Sequence, residues 1–261
     1  MFLSIVPRII RWQRLMNYNS DNKVSLLFST KITFIGLALN IISPAGSGDI
    51  IKSYYGYKWL GMKERMLSVS FYDKLMAFFA LGFLSLLAFL VEGRGVYILS
   101  ALFCITPILI IKNKMIVNYF CSNRLVGWLN NKSLKLDFNS LQNHLKFDNK
   151  ITTQSFSLSL IAWIIDFIFF YYCFQITGLN TPLKEVFFDG SLLKLGKLFP
   201  FTLNGLGTDE LIMTYLFAKS EIEYGMVVVS SLIYRIIIDV VPALVGVILI
   251  FTRSNTKKSN E

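Results

Sequence analysis

The chain of 261 residues contains one histidine, His144, and three cysteines, Cys104, Cys121 and Cys173. One imidazole excludes a histidine-built metal centre, and the cysteines lack the C-x-x-C spacing of a zinc site or redox pair. Cys104 and Cys173 lie in apolar runs, where cysteine packs as a small hydrophobe. There is no P-loop, nucleophile elbow or aspartate-rich transferase motif. The sequence therefore assigns no catalytic residue, no metal and no cofactor. Charge is also scarce: Asp, Glu, Lys and Arg make up 16%, against about 25% in soluble domains.

What fills the chain instead is apolar. Hydrophobic residues reach 54%, with 23 Phe, and mean hydropathy is +0.55. This composition predicts an all-α polytopic membrane protein, because helices satisfy their own backbone groups in lipid. Lys and Arg number 26 against 16 acids. Basic loops facing anionic lipid on the cytoplasmic side account for that excess, so nucleic acid is not an expected partner.

The chain reads as a single integral membrane domain. Residues 1–23 form a basic N-terminus, in which Arg8, Arg11 and Arg14 share a helix face with Trp12 nearby. This piece is expected to lie as an interfacial helix. A first half follows over 24–111, with an apolar segment at 24–42, a shorter one at 46–60, and spans at 66–91 and 96–111. Residues 112–150 carry seven Lys or Arg and read as a cytoplasmic loop. The second half covers 151–251, with spans at 151–178 and 224–251 around short segments at 182–199 and 205–219. The tail, 252–261, is basic and cytoplasmic.

Two breaks organise these halves. The later one runs from Pro200 through Gly205, Gly207, Thr208, Asp209 and Glu210. Pro200 disfavours continuing the helix before it. Gly205 and Gly207 permit positive φ and close backbone approach, and Thr208 suits an N-cap, with the two acids in the following first turn. Gly207 is expected to be intolerant of bulk, because another segment should press on it. The earlier break repeats the pattern as Pro44, Gly46, Gly48 and Asp49. Each break is followed by a long apolar helix holding a basic residue, Lys74 next to Asp73 and Arg235 next to Tyr234. With 112–150 inside, 182–219 must begin and end outside. It is either a re-entrant hairpin or a pair of full spans, and Lys184, Glu185, Asp189, Lys194 and Lys197 are too many charges for a lipid-facing span. For 24–60 the positive-inside rule favours a hairpin, which keeps the basic N-terminus inside. A matching hairpin at 24–60 would enter from the opposite face, giving a weak inverted repeat of two broken or re-entrant hairpins.

These motifs resemble the lysylphosphatidylglycerol synthase transmembrane region family, also described as flippase-like. In the later motif, Asn204 and Asp209 stand where the family has Gly and Arg. In the earlier one, Ala45, Ser47 and Asp49 give a shorter form, and Lys74 replaces a frequent Arg. The resemblance implies handling or movement of an anionic lipid, either a phospholipid or a polyprenyl-phosphate-linked sugar, in the cytoplasmic (inner) membrane. It does not imply synthase activity, which resides in a separate soluble domain of bifunctional members.

Ionisable groups inside spans are functional candidates by default. Lys74 and Arg235 are the expected cationic sites for a lipid headgroup, with Asp73, Asp166 and Asp239 beside them. Arg235 and Asp239 could pair along one helix at i, i+4, and Asp166 is the natural partner for Lys74 or Arg235. Asp209 and Glu210 read first as first-turn acids, and Tyr72 and Tyr234 as packing aromatics. Two functions stay open: a flippase-like lipid translocator, or a membrane-embedded component of an envelope glycolipid or lipid-modifying transferase system. The second would involve a glycosyltransferase or lipid-synthesis partner, with Asp49, Asp209 or Glu210 as its active acids.

Overall fold

The computed structural model describes residues 2–43, 47–95, 97–98, 101–102, 147–179, 181–196, 205, 207–217 and 224–258. Pro44, Gly46, Pro200, Asn204, most of 96–111 and nearly all of 112–150, with His144, Cys104 and Cys121, lie outside them. Among the described residues every regular element is helical. We number the helices α1 (Ile5–Asn17), α2 (Leu26–Ile42), α3 (Gly48–Leu60), α4 (Lys63–Glu92), α5 (Asn149–Ile176), α6 (Leu183–Gly196) and α7 (Thr208–Phe217). The eighth, α8, has an upstream arm, Tyr224–Arg235, a π-helical turn, Ile236–Val240, and a downstream arm, Val241–Lys258.

Among the described residues three helices are long and apolar enough to cross a membrane: Lys63–Glu92, Asn149–Ile176 and Gly225–Thr252. The others are shorter. At 1.5 Å per residue, the 17 residues of α2 and 13 of α3 reach roughly 26 and 20 Å, below the ~30 Å of a hydrocarbon core. The 14 residues of α6 and 10 of α7 reach roughly 21 and 15 Å. Each short pair packs together, as two helical hairpins would.

The first hairpin is closed by polar groups at the end of α2, Asn40 in its last turn and its C-cap Ser43. Ser43 Oγ accepts from the Gly48 N–H at 2.8 Å, and Asn40 Oδ1 accepts from the Asp49 N–H at 3.1 Å. These bonds satisfy orphan donors at the start of α3. A methyl group at Gly48 would lie 2.3 Å from the Asn40 backbone nitrogen and 2.4 Å from the Leu39 carbonyl carbon. Glycine is thus what lets the two helices meet.

The second hairpin uses different chemistry. Gly205 and Gly207 adopt φ of 77° and 86°, in the region glycine favours. Thr208 is the first helical residue rather than the N-cap. Gly207 takes the cap position, and its N–H donates to Glu210 Oε2 at 2.7 Å, one half of a capping box. Among the described residues the expected steric pressure on Gly207 is not seen: none lies within 4 Å of where its Cβ would stand. Among the described residues close approach belongs to Gly48, whereas the constraint at Gly207 is its backbone conformation.

The expectation for the N-terminus is corrected. α1 does not lie on the bundle but inside it, packed against α2, α4 and α5. Trp12, Leu15 and Met16 are fully buried with Ile32, Met66 and Val69. Trp12 Nε1 donates to Ser70 Oγ at 3.3 Å. The physical reason is pairing: Arg8 and Arg11 meet carboxylates of the long helices, so their charges do not have to stay at an interface. A second core joins α5, α6, α7 and α8 around Phe170, Phe174, Val186, Met213 and Tyr234. Cys173 sits in that core as a packing residue. Between them α8 links the hairpins: its upstream arm packs on α7 and α5, and its downstream arm lies along α2.

Candidate functional site

The helices enclose a cavity of about 140 Å³, room for several waters or a phosphate-sized group. It is lined from α1, α2, α3, α4, α5, α6 and α8, so both halves contribute. Its apolar walls include Leu37, Phe78, Leu81 and Ile238; its polar walls are mostly charged.

The charges form pairs, and all of these but Lys52–Asp49 join different helices. Arg11 Nε donates to Asp73 Oδ1 at 2.6 Å, and its Nη1 to Ser159 Oγ at 2.6 Å. Lys52 Nζ sits 3.4 Å from Asp49 Oδ1 and 3.7 Å from Asp73 Oδ2. Lys74 Nζ donates to Asp49 Oδ2 at 2.9 Å. Arg8 donates to Asp166 Oδ2, and its guanidinium lies 5.5 Å from the Trp163 ring centre, a cation–π contact. Trp163 is fixed in turn by its Nε1–H, which donates to the Ala77 carbonyl at 2.9 Å. Lys194 donates to the Tyr234 hydroxyl and lies over that ring. Such pairing is what a low-dielectric interior demands of ionised groups.

A second cluster stands outside the cavity lining. Arg235 Nη2 donates to Asp209 Oδ2 at 3.0 Å and to the Gly205 carbonyl at 3.1 Å, with Glu210 Oε1 at 3.3 Å. The two halves therefore share one arrangement. In each, an acid in the first turn after the break pairs with a cation on the following long helix. The separation is 25 residues for Asp49 and Lys74, and 26 for Asp209 and Arg235.

Among the sequence candidates, Asp49, Asp73, Lys74, Asp166 and Asp239 are brought together around the cavity. Arg235, Asp209 and Glu210 form the separate cluster, and Gly48, Gly205 and Gly207 shape the breaks. Two expected pairings are corrected. Arg235 does not bond Asp239 one turn on, because the π-helical turn after Arg235 removes the i, i+4 relation. Asp166 meets neither Lys74 nor Arg235 but Arg8, which α1 carries in from 158 residues away. Arg8, Arg11, Lys52 and Lys194 are site residues the sequence reading missed.

Three long apolar helices, short paired helices and a charged internal cavity define a multi-pass helical membrane protein. The chain matches the family model for the lysylphosphatidylglycerol synthase TM region over residues 1–246, and it belongs to that family. A UPF0104 membrane protein of Methanothermobacter thermautotrophicus (strain Delta H) is 30% identical over 101 residues. That match covers 39% of this chain and 29% of the relative, so it spans under a third of the relative's length. No solved structure matches the chain.

Proposed function

We propose that this protein is a flippase-like component of the cytoplasmic membrane that handles or translocates an anionic lipid, a phospholipid or a polyprenyl-phosphate-linked sugar. The observation that carries the reading is the cavity: between the long helices α4, α5 and α8 and the shorter helices packed on them, cations from both halves converge on a space of about 140 Å³. A phosphate headgroup entering it would exchange its water shell for Arg and Lys donors. The acyl or prenyl chains would remain among the apolar helices. In this reading the two hairpins are re-entrant and enter from opposite faces. Residues 112–150 and the tail then face the cytoplasm, and 92–95 the other side. Asp49 and Asp209 hold Lys74 and Arg235 until a headgroup competes for them. A lipid-synthesis enzyme or glycosyltransferase is the class of partner that would supply such a substrate.

The test is reconstitution. Vesicles containing the purified chain and a tail-labelled anionic phospholipid should exchange the label between leaflets faster than protein-free vesicles. Lys74→Gln should return the rate to the protein-free value. Vesicles with the wild-type chain that exchange neither labelled phospholipid nor labelled polyprenyl phosphate faster than empty ones would overturn the proposal.

A further inference from the structure

Asp166 is 1% exposed and lines the cavity. Its Oδ2 accepts from Arg8, whereas its Oδ1 is buried with no hydrogen-bond partner among the described residues. A buried carboxylate oxygen left in that condition is costly, and its natural complement is a donor. The neighbouring charges cannot supply one as they stand. Arg11 and Lys52 are engaged with Asp73 and Asp49, Lys74 with Asp49, and Lys194 with Tyr234. Asp239 on α8 is a further carboxylate on the cavity wall and brings no donor of its own.

Arg8 completes the picture. A guanidinium has five N–H donors, and one nitrogen, Nη2, makes the bond to Asp166. The Arg8 side chain is 26% exposed, less enclosed than its partner. Side by side, the pair offers a donor edge from Arg8 and an acceptor atom from Asp166. The complement of that pattern is a phosphate oxygen with a hydrogen-bond donor a few bonds away. The cavity wall carries five cationic side chains and four carboxylates, leaving one net positive charge, which fits one phosphodiester.

We infer that the Arg8–Asp166 pair is a headgroup-selecting subsite for a phosphodiester lipid whose headgroup bears an O–H or N–H donor, with Arg8 on the phosphate and Asp166 Oδ1 on the donor. This rests on the lipid-handling reading above and adds a specificity to it. A hydroxyl and an ammonium share the required chemistry, and the experiment separates them.

The probes are tail-labelled phosphatidylglycerol and phosphatidylethanol in the same vesicles. They carry equal charge, but only the first has headgroup hydroxyls. Tail-labelled phosphatidylethanolamine supplies the ammonium donor. Wild-type protein should move phosphatidylglycerol about tenfold or more faster than phosphatidylethanol, the discrimination expected of a hydrogen bond to a charged acceptor. Phosphatidylethanolamine moving faster still would identify the donor as an ammonium; moving slower than phosphatidylglycerol would identify it as a hydroxyl. Asp166→Leu should bring the phosphatidylglycerol-to-phosphatidylethanol ratio to about one. Because Asp166→Leu strands Arg8, the isosteric Asp166→Asn is run beside it and should lower the ratio while eluting as wild type on size exclusion. Equal transport of phosphatidylglycerol, phosphatidylethanolamine and phosphatidylethanol by wild type would overturn the inference and leave the lipid-handling reading standing. A wild-type ratio unchanged in Asp166→Asn and Asp166→Leu would remove Asp166 from the subsite. Transport of no probe would instead overturn the lipid-handling reading itself.

Discussion

The buried pair between α1 and α4 gives a stability prediction whose size follows from its surroundings. The Arg11 and Asp73 side chains are 5% and 6% exposed and sit 2.6 Å apart. Asp73 also faces Lys52, itself 3% exposed, at 3.7 Å. Removing Asp73 leaves Arg11, among the described residues, with only the Ser159 hydroxyl and weakens the hold on Lys52. Breaking a buried pair in this way costs about 3–5 kcal/mol, because an uncompensated charge stays inside. Removing Arg11 costs less, because Asp73 keeps Lys52; about 1.5–3 kcal/mol is expected for a lost charged hydrogen bond. Replacing both with apolar residues should recover most of the loss, since paired burial is near neutral against hydrophobic packing. The assay is thermal unfolding of detergent-purified Asp73→Leu, Arg11→Met and the double variant. At roughly 2–4 °C per kcal/mol, Asp73→Leu should melt about 10 °C below wild type, and the double variant within a few degrees of it. Strictly additive losses in the double variant would show that these two groups are not coupled, and the buried position of α1 would fall with them.

Other consequences can be tested alongside. Gly48→Ala must push α2 and α3 apart and should cost about 1–3 kcal/mol as overpacking, read as a lowered melting temperature. Gly207→Ala should cost about 1–2 kcal/mol for a side chain held in left-handed backbone, and Gly207→Leu should cost no more; a steep rise with side-chain size would show a neighbour at Gly207 after all. Lys74→Gln and Arg235→Gln should each abolish lipid exchange while the protein still inserts and purifies. If both retain wild-type exchange, the two clusters are structural. In a background lacking the native cysteines, an impermeant thiol reagent should label Gly95→Cys and Asn22→Cys from opposite sides of the membrane; labelling from one side would refute the proposed topology.

The membrane class and the long spans were legible because hydropathy sums over many residues and needs no partner. The expected spans 66–91, 151–178 and 224–251 fall on α4, α5 and α8 within a few residues. The breaks were legible from glycine, proline and first-turn acids, which act locally. The recurrence of an acid and a cation in each half foreshadowed the pairs Asp49–Lys74 and Asp209–Arg235, although their contact was not anticipated. What stayed hidden was long-range. Arg8, Arg11 and Arg14 resembled a surface helix because isolated cations belong in water. Only folding brings Asp166 and Asp73, 158 and 62 residues away, to neutralise the first two. A signal did exist: Ile5, Ile9, Trp12 and Met16 form a stripe at helical spacing, and all four are buried. That stripe fits a protein core as well as a lipid interface, so the pattern alone could not choose between them.

The π-helical turn at Ile236–Val240 has a mechanical meaning. A π turn is an α-helix with one residue too many, so the two arms of α8 keep separate rotational settings. The upstream arm is set by Arg235, held by the second hairpin. The downstream arm is set by Gly246, where a Cβ would lie 2.1 Å from the Phe34 carbonyl oxygen of the first hairpin. Shortening the turn by one residue would force a single register on both. The downstream arm would rotate by about 100°, one residue's share of a 3.6-residue turn, and either Arg235 or Gly246 would lose its seat. The surplus residue is therefore the swivel that lets one helix belong to both halves at once.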